Sequence, residues 1–187
     1  MQYSFYFDQS RCTGCYTCLI ACKDWHEYDL GSEPANWIRI TAIEKGKFPD
    51  LSLSYLFTTC LHCADPPCIP ACPVKAISKR AEDGIVVVDK EVCLGNVSCD
   101  GFCQAACPYD VPKFGSESDD KMQKCDLCLD RWAEGTKPTC VEACPMRALD
   151  AGPLDKLEAE YGDIRTAEGF VYSEKVKPSI VFKPTGR

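Results

Sequence analysis

Apolar side chains crowd the start of the chain, where Tyr3, Phe5, Tyr6 and Phe7 predict a short strand. Between residues 15 and 26 the pattern changes to helical spacing, which sets Cys18 and Cys22 one turn apart on one face. Residues 29–35 have the composition of a turn. Two strand-like runs follow, Trp37–Ile43 and Leu51–Thr58, the second alternating in polarity. Cys72–Ile77 leads through Glu82, Asp83 and Gly84 to Ile85–Asp89, a loop–helix–hairpin order with a turn at Asp83 and Gly84. Residues 116–120 read as a polar, acidic loop, and Leu154–Tyr161 as a helix stopped by Gly162. The last segment carries Pro178 and Pro184 around Ile180, Val181 and Phe182, which suits an extended strand or clamp better than a helix.

The longest aliphatic stretch, Ile85–Val88, is far short of the roughly 20 residues that a membrane helix needs, so no direct membrane span is expected. A net charge of −7 argues against nucleic acid, whose affinity comes from lysine and arginine on phosphates. No basic n-region or twin arginine opens the chain, so no signal peptide of its own is read here.

Composition changes the picture. Sixteen of the 187 residues are cysteine, and they are counted in the 45% hydrophobic fraction, which leaves conventional apolar side chains thin for a core. The cysteines must help hold the fold as well as do chemistry. Their spacing discriminates among disulfides, zinc and iron–sulfur clusters. Cys12, Cys15, Cys18 and Cys22 form a C-x2-C-x2-C-x3-C run, the bacterial ferredoxin spacing, except that Lys23 stands where proline usually follows. A second group is Cys60, Cys63, Cys68 and Cys72, followed by Pro73. A third is Cys93, Cys99, Cys103 and Cys107, followed by Pro108. The fourth is Cys125, Cys128, Cys140 and Cys144, followed by Pro145. Cysteines this dense cannot all pair as disulfides, and zinc sites prefer two pairs with a longer gap between them. Four groups of four match the ligand count of four [4Fe-4S] clusters.

In two-cluster ferredoxins the cysteine before proline ligates the other cluster of the pair. Transferred here, Cys12, Cys15 and Cys18 share a cluster with Cys144, and Cys125, Cys128 and Cys140 share one with Cys22. In the middle of the chain Cys60, Cys63 and Cys68 take Cys107, while Cys93, Cys99 and Cys103 take Cys72. The fold class expected is therefore α+β, with two ferredoxin-like dicluster modules, the second nested inside the first. Residues 1–49 and 116–161 form the outer module, 50–115 the central one, and 162–187 an extended C-terminal docking segment.

His62, between two ligands, reads as a hydrogen-bonding or packing residue, and His26 as a surface or capping one. Gly14 and Gly95 read as backbone devices, and Trp25, Trp37 and Trp132 as packing around the clusters. Arg11, Lys23, Lys75, Lys124 and Arg147 lie next to ligands and offset the negative charge of the clusters, about −2 each when oxidised. No nucleophile–base constellation is visible, so no catalytic site is expected in this chain.

The segments Arg11–Asp24, Cys60–Cys68, Lys124–Cys128 and Pro138–Leu149, with the tail Lys177–Pro184, resemble the four-cluster iron–sulfur subunits of molybdopterin (dimethyl sulfoxide reductase-type) oxidoreductases. The likeness covers nearly the whole sequence. It implies a non-catalytic electron-transfer subunit that relays electrons between a molybdenum- or tungsten-pterin catalytic subunit and a quinone-linked membrane anchor or soluble redox partner. It leaves either the cytoplasmic or the periplasmic face of the membrane open, because a partner's signal can carry such a subunit across. Two alternatives stay open: a free polyferredoxin, and a subunit of a tungsten aldehyde oxidoreductase or hydrogenase-type complex. The third group departs from the pattern, with Asn96 at the second position counted forward from Cys93. Counting back from Cys107 keeps Cys103 in register and makes Cys99 the ligand in a longer loop, the reading favoured here.

Overall fold

The computed structural model describes residues 1–26, 36–115 and 120–186. The turn expected at 29–35 lies outside the described residues, as does the loop expected at 116–120 apart from Asp120. β1 (Tyr3–Asp8) buries all but its first residue. α1 (Thr17–Trp25) begins two residues later than the pattern suggests, because Tyr16 takes a left-handed conformation and turns the chain out of the first cysteine loop. β2 (Arg39–Lys47) and β3 (Asp50–Thr58) form an unbroken antiparallel hairpin, from Arg39 opposite Thr58 to Lys47 opposite Asp50. The polarity alternation read in β3 does not carry through to burial, because only its base meets the core. Leu56 and Phe57 are buried, whereas Leu51 and Leu53 stand exposed near the tip with Phe48.

The middle of the chain alternates one-turn helices with a small hairpin. α2 (Cys68–Ala71) carries Cys68, and β4 (Ile77–Lys79) pairs with β5 (Val86–Val88). α3 (Asn96–Cys99) and α4 (Phe102–Ala106) hold Cys99 and Cys103. α5 (Leu129–Ala133) follows Cys128, and α6 (Thr139–Glu142) holds Cys140. β6 (Leu149–Pro153) runs directly into α7 (Leu154–Tyr161), which stops at Gly162, and β7 (Ile180–Lys183) lies near the end of the chain.

The order β6–β1–β7 ties the two ends of the chain together. β1 is antiparallel to β6 and parallel to β7, with Phe7 opposite both Leu149 and Phe182. Ile180, Val181 and Phe182 are completely buried, as an extended clamp requires. The tail also bonds to the second cysteine loop. Ser179 N–H donates to Leu61, Ala64 N–H to Lys177 and Asp65 N–H to Val176. One large core therefore mixes Phe5, Phe7, Phe57 and Phe182 with Cys18, Cys22, Cys60, Cys125, Cys140 and Cys144. A smaller one surrounds Cys68, Cys93 and Cys103 with Ala76, Ile77, Val86 and Met122. Cysteines are core residues in both.

Candidate metal centres

All sixteen cysteines lie in the described residues, and none forms a disulfide. The thiols fall into four sets that feel one another. In the first, Cys18 is pushed up to about 12 by burial, then by Cys12, Cys144 and Cys15, with the Leu19 amide opposing. Gly14 and Tyr16, both left-handed, bracket Cys15 and fold the loop back on itself. Exposed Cys15 is held below the usual thiol range, chiefly by a bond from the Thr17 hydroxyl at 3.3 Å. Cys12, Cys15, Cys18 and Cys144 together line one small apolar cavity, walled by Phe7 and Phe57.

In the second set, Cys63 rises to about 12 through burial and then through Cys60, Cys107 and Cys68. In the third, burial lifts Cys103 to about 11, followed by Cys99, Cys72 and Cys93, against the Gln104 amide. In the fourth, burial drives Cys125 well above its usual value, and Cys22, Asp126, Cys128 and Cys140 add to it. Each set joins three cysteines of one group to the cysteine that ends another. Helix α1 supplies Cys18 to the first set and Cys22 to the fourth from a single face, and Cys140 feels both. Those two sets are neighbours.

Sulfurs so placed are poor homes for four separate thiolates, because burial and mutual repulsion both oppose deprotonation. A cationic metal centre reverses that balance, since a coordinating thiol is deprotonated outright. Backbone amides are already aimed at several sulfurs. Ala76 N–H points at Cys72 at 3.3 Å, Met122 at Cys93 at 3.4 Å, Leu127 at Cys125 at 3.3 Å and Ala148 at Cys144 at 3.4 Å. Such bonds favour the charged sulfur. The donor sets fit iron–sulfur clusters, and four-thiolate zinc would satisfy the same geometry.

Second-layer residues partly depart from the sequence reading. His62 is fully buried and accepts the Val86 N–H on Nδ1 at 3.0 Å, a hydrogen-bonding role as expected. His26 caps α1 through its backbone, but its ring is not a surface group. Its Nε2 lies 3.5 Å from the Cys128 sulfur and 3.9 Å from Asp126, because Trp37 packs over it at 4.5 Å. Among the basic residues, Arg11, Lys75 and Arg147 are exposed and Lys23 half-buried, while Lys124 is buried. Sequence reasoning missed Lys79, whose Nζ donates to the carbonyls of Cys63 at 2.7 Å and Ala64 at 3.1 Å. Sixteen residues separate it from Cys63, so only the β4–β5 hairpin reveals it. Tyr109 was also missed. Its hydroxyl is pushed up to about 12 by burial, with Cys63 and Cys107 among the lesser causes.

Comparison with known proteins separates iron from zinc. Residues 51–154 match a 4Fe-4S dicluster domain, and residues 11–76 match a second domain of that description. The B subunit of anaerobic dimethyl sulfoxide reductase from Escherichia coli is 45% identical, over 98% of this sequence and 89% of its own length. The protein of that name from Haemophilus influenzae is 42% identical over the same shares. The thiosulfate reductase electron transfer subunit of Salmonella typhi is 38% identical, over 85% of this sequence and 80% of its own length. With cysteines in ferredoxin spacing and dicluster domains across most of its length, this protein belongs to the iron–sulfur electron-transfer subunits of oxidoreductase complexes, the family that includes the B subunit of dimethyl sulfoxide reductase.

Proposed function

We propose that each set of four thiols holds one [4Fe-4S] cluster, four in all, and that the protein relays electrons between a molybdenum- or tungsten-pterin catalytic subunit and a membrane anchor or soluble redox partner. The ligands would be Cys12, Cys15, Cys18 and Cys144; Cys60, Cys63, Cys68 and Cys107; Cys93, Cys99, Cys103 and Cys72; and Cys125, Cys128, Cys140 and Cys22. The observation that carries this reading is the fourfold grouping, in which one thiol of each set feels the other three. When bound, the clusters supply one-electron redox chemistry. The protein holds the sulfurs, directs amides at them and keeps most of them from water. Residues 1–49 with 116–161 then form the outer module and 50–115 the nested one. Within the docking segment, residues 162–187, Val176–Lys183 clamp the molecule, which leaves docking to the stretch around Val171, 80% exposed.

The partner assignment rests on the near full-length likeness to the B subunit of dimethyl sulfoxide reductase. No helix among the described residues is long and apolar enough to cross a membrane, so attachment to one would come through another subunit. Anaerobic purification under native conditions tests both parts. Sixteen irons and sixteen acid-labile sulfides per polypeptide are expected, with molybdenum or tungsten in a stoichiometric second band. Eight irons would overturn the cluster count, and a monodisperse brown protein without a partner would favour a free polyferredoxin.

A further inference from the structure

Lys124 directly precedes Cys125, yet only 4% of its surface is exposed. Its Nζ donates to two backbone carbonyls, those of Val86 and Cys125, the latter at 3.0 Å. No carboxylate pairs with it among the described residues. An ammonium carries three donors and a full charge. Two carbonyl dipoles leave the charge itself uncompensated, and a buried cation without a counter-charge is strongly disfavoured.

The surroundings identify the missing negative charge. Val86, whose carbonyl Lys124 binds, packs in one buried cluster with Cys68, of the set that includes Cys60, Cys63 and Cys107. Lys124 is bonded in sequence to Cys125, in the set that includes Cys22, Cys128 and Cys140. The Val86 backbone links the two sets, because its N–H donates to His62 Nδ1 and its C=O accepts from Lys124 Nζ. His62 does not share the positive charge. Its Nδ1 accepts from Val86, so the neutral ring carries its proton on Nε2, which has no partner among the described residues.

We infer that Lys124 is a shared counter-charge between two cofactor sites, those of Cys60, Cys63, Cys68 and Cys107 and of Cys22, Cys125, Cys128 and Cys140, and that it raises both reduction potentials. The inference rests on the ligand sets proposed above. Lys124 is a positioning residue for electrons. A buried positive charge favours the more negative, reduced state of both sites and makes them preferred stops in the relay.

The test is an EPR-monitored redox titration of the whole complex in wild type, Lys124→Gln, Lys124→Met and Lys124→Arg, with iron counted in each. Lys124→Gln removes the charge and keeps a donor for the carbonyls. The expected result is a fall of about tenfold or more in the reduction equilibrium constant of two clusters in Lys124→Gln, about 59 mV for a one-electron couple. Lys124→Arg should restore it. Unchanged potentials in a fully loaded Lys124→Gln protein would overturn the inference. Loss of iron in both neutral variants, with Lys124→Arg fully loaded, would support a requirement for the charge. Loss in all three would overturn it in favour of packing. A wild-type protein with fewer than sixteen irons would instead fail the ligand sets, so the two failures are distinguishable.

Discussion

Asn96 and Cys99 stand at opposite ends of α3, and only Cys99 is among the thiols that Cys103 feels. The Asn96 side-chain oxygen is buried with no hydrogen-bond partner among the described residues, which costs stability. Cys99→Ser should therefore disturb one cluster, while Asn96→Ala keeps all four and leaves stability unchanged or slightly better. Iron content and EPR check both, and a stoichiometric three-iron signal in the oxidised wild type would count against Cys99 as a ligand. Asp8 offers a second test at this scale, away from the thiols. It is buried at the end of β1, where it accepts from Ser10 N–H at 3.0 Å and meets Lys183 at 3.1 Å and Arg11 at 3.5 Å. Burial pulls its pKa upward, but the bonds from Ser10 and Lys183 prevail and hold it below the usual 3.8. A carboxylate so held contributes stability above its unfolded pKa and loses it as pH falls through the lower folded value. At neutral pH Asp8→Asn should cost about 1.5–3 kcal/mol, the worth of hydrogen bonds to a charged group. Loss of visible absorbance in denaturant reads this as a rate, and the variant and wild-type rates should converge below pH 4.

At the scale of elements, legibility tracked whether a segment carries its own signal. α7 has a helical run and a glycine stop, and both its ends are where the sequence places them. β6 has no such signal. Its Asp150, Gly152 and Pro153 are turn residues, and it becomes a strand because β1 offers it an edge. The one-turn helices α2 to α6 are too short to show a period, so only the cysteines in or just before them were readable. Among second-layer groups, those beside a cysteine in sequence were visible, while Lys79 and the contact of His26 with Cys128 depend on the tertiary fold. Gly14 was readable as a backbone device, and its left-handed φ agrees, but the ring that crowds it was not readable. A Cβ there would lie 2.3 Å from the Tyr55 ring, and its φ is +66°. Gly14→Ala should thus cost about 1–3 kcal/mol through strain and overlap. It should speed bleaching of the cluster at Cys12, Cys15, Cys18 and Cys144. Adding Tyr55→Ala should recover the steric part and leave the backbone part, which a double-mutant comparison of bleaching rates separates.

For the whole molecule, the two cores differ in what remains once iron is removed. The larger core keeps Phe5, Phe7, Phe57 and Phe182 around the β6–β1–β7 sheet, where aromatic contacts such as Phe5 with Phe57 at 5.6 Å need no metal. Among the described residues, the smaller core has only Ala76, Ile77, Val86 and Met122 as buried partners for its buried cysteines. Without metal its thiols are a few small hydrophobes in a loop-rich region, too little to offset the entropy of ordering it. Metal binding and folding are coupled in such domains. Anaerobic chelation should therefore remove the far-UV signal of the central hairpin and short helices, not merely bleach the colour. Hydrogen exchange during chelation should show residues 60–115 losing protection first and β1 and β7 last. A compact apo-protein with native protection in residues 60–115 would show that the polypeptide folds without its clusters, and the structural role assigned to the cysteines would fall.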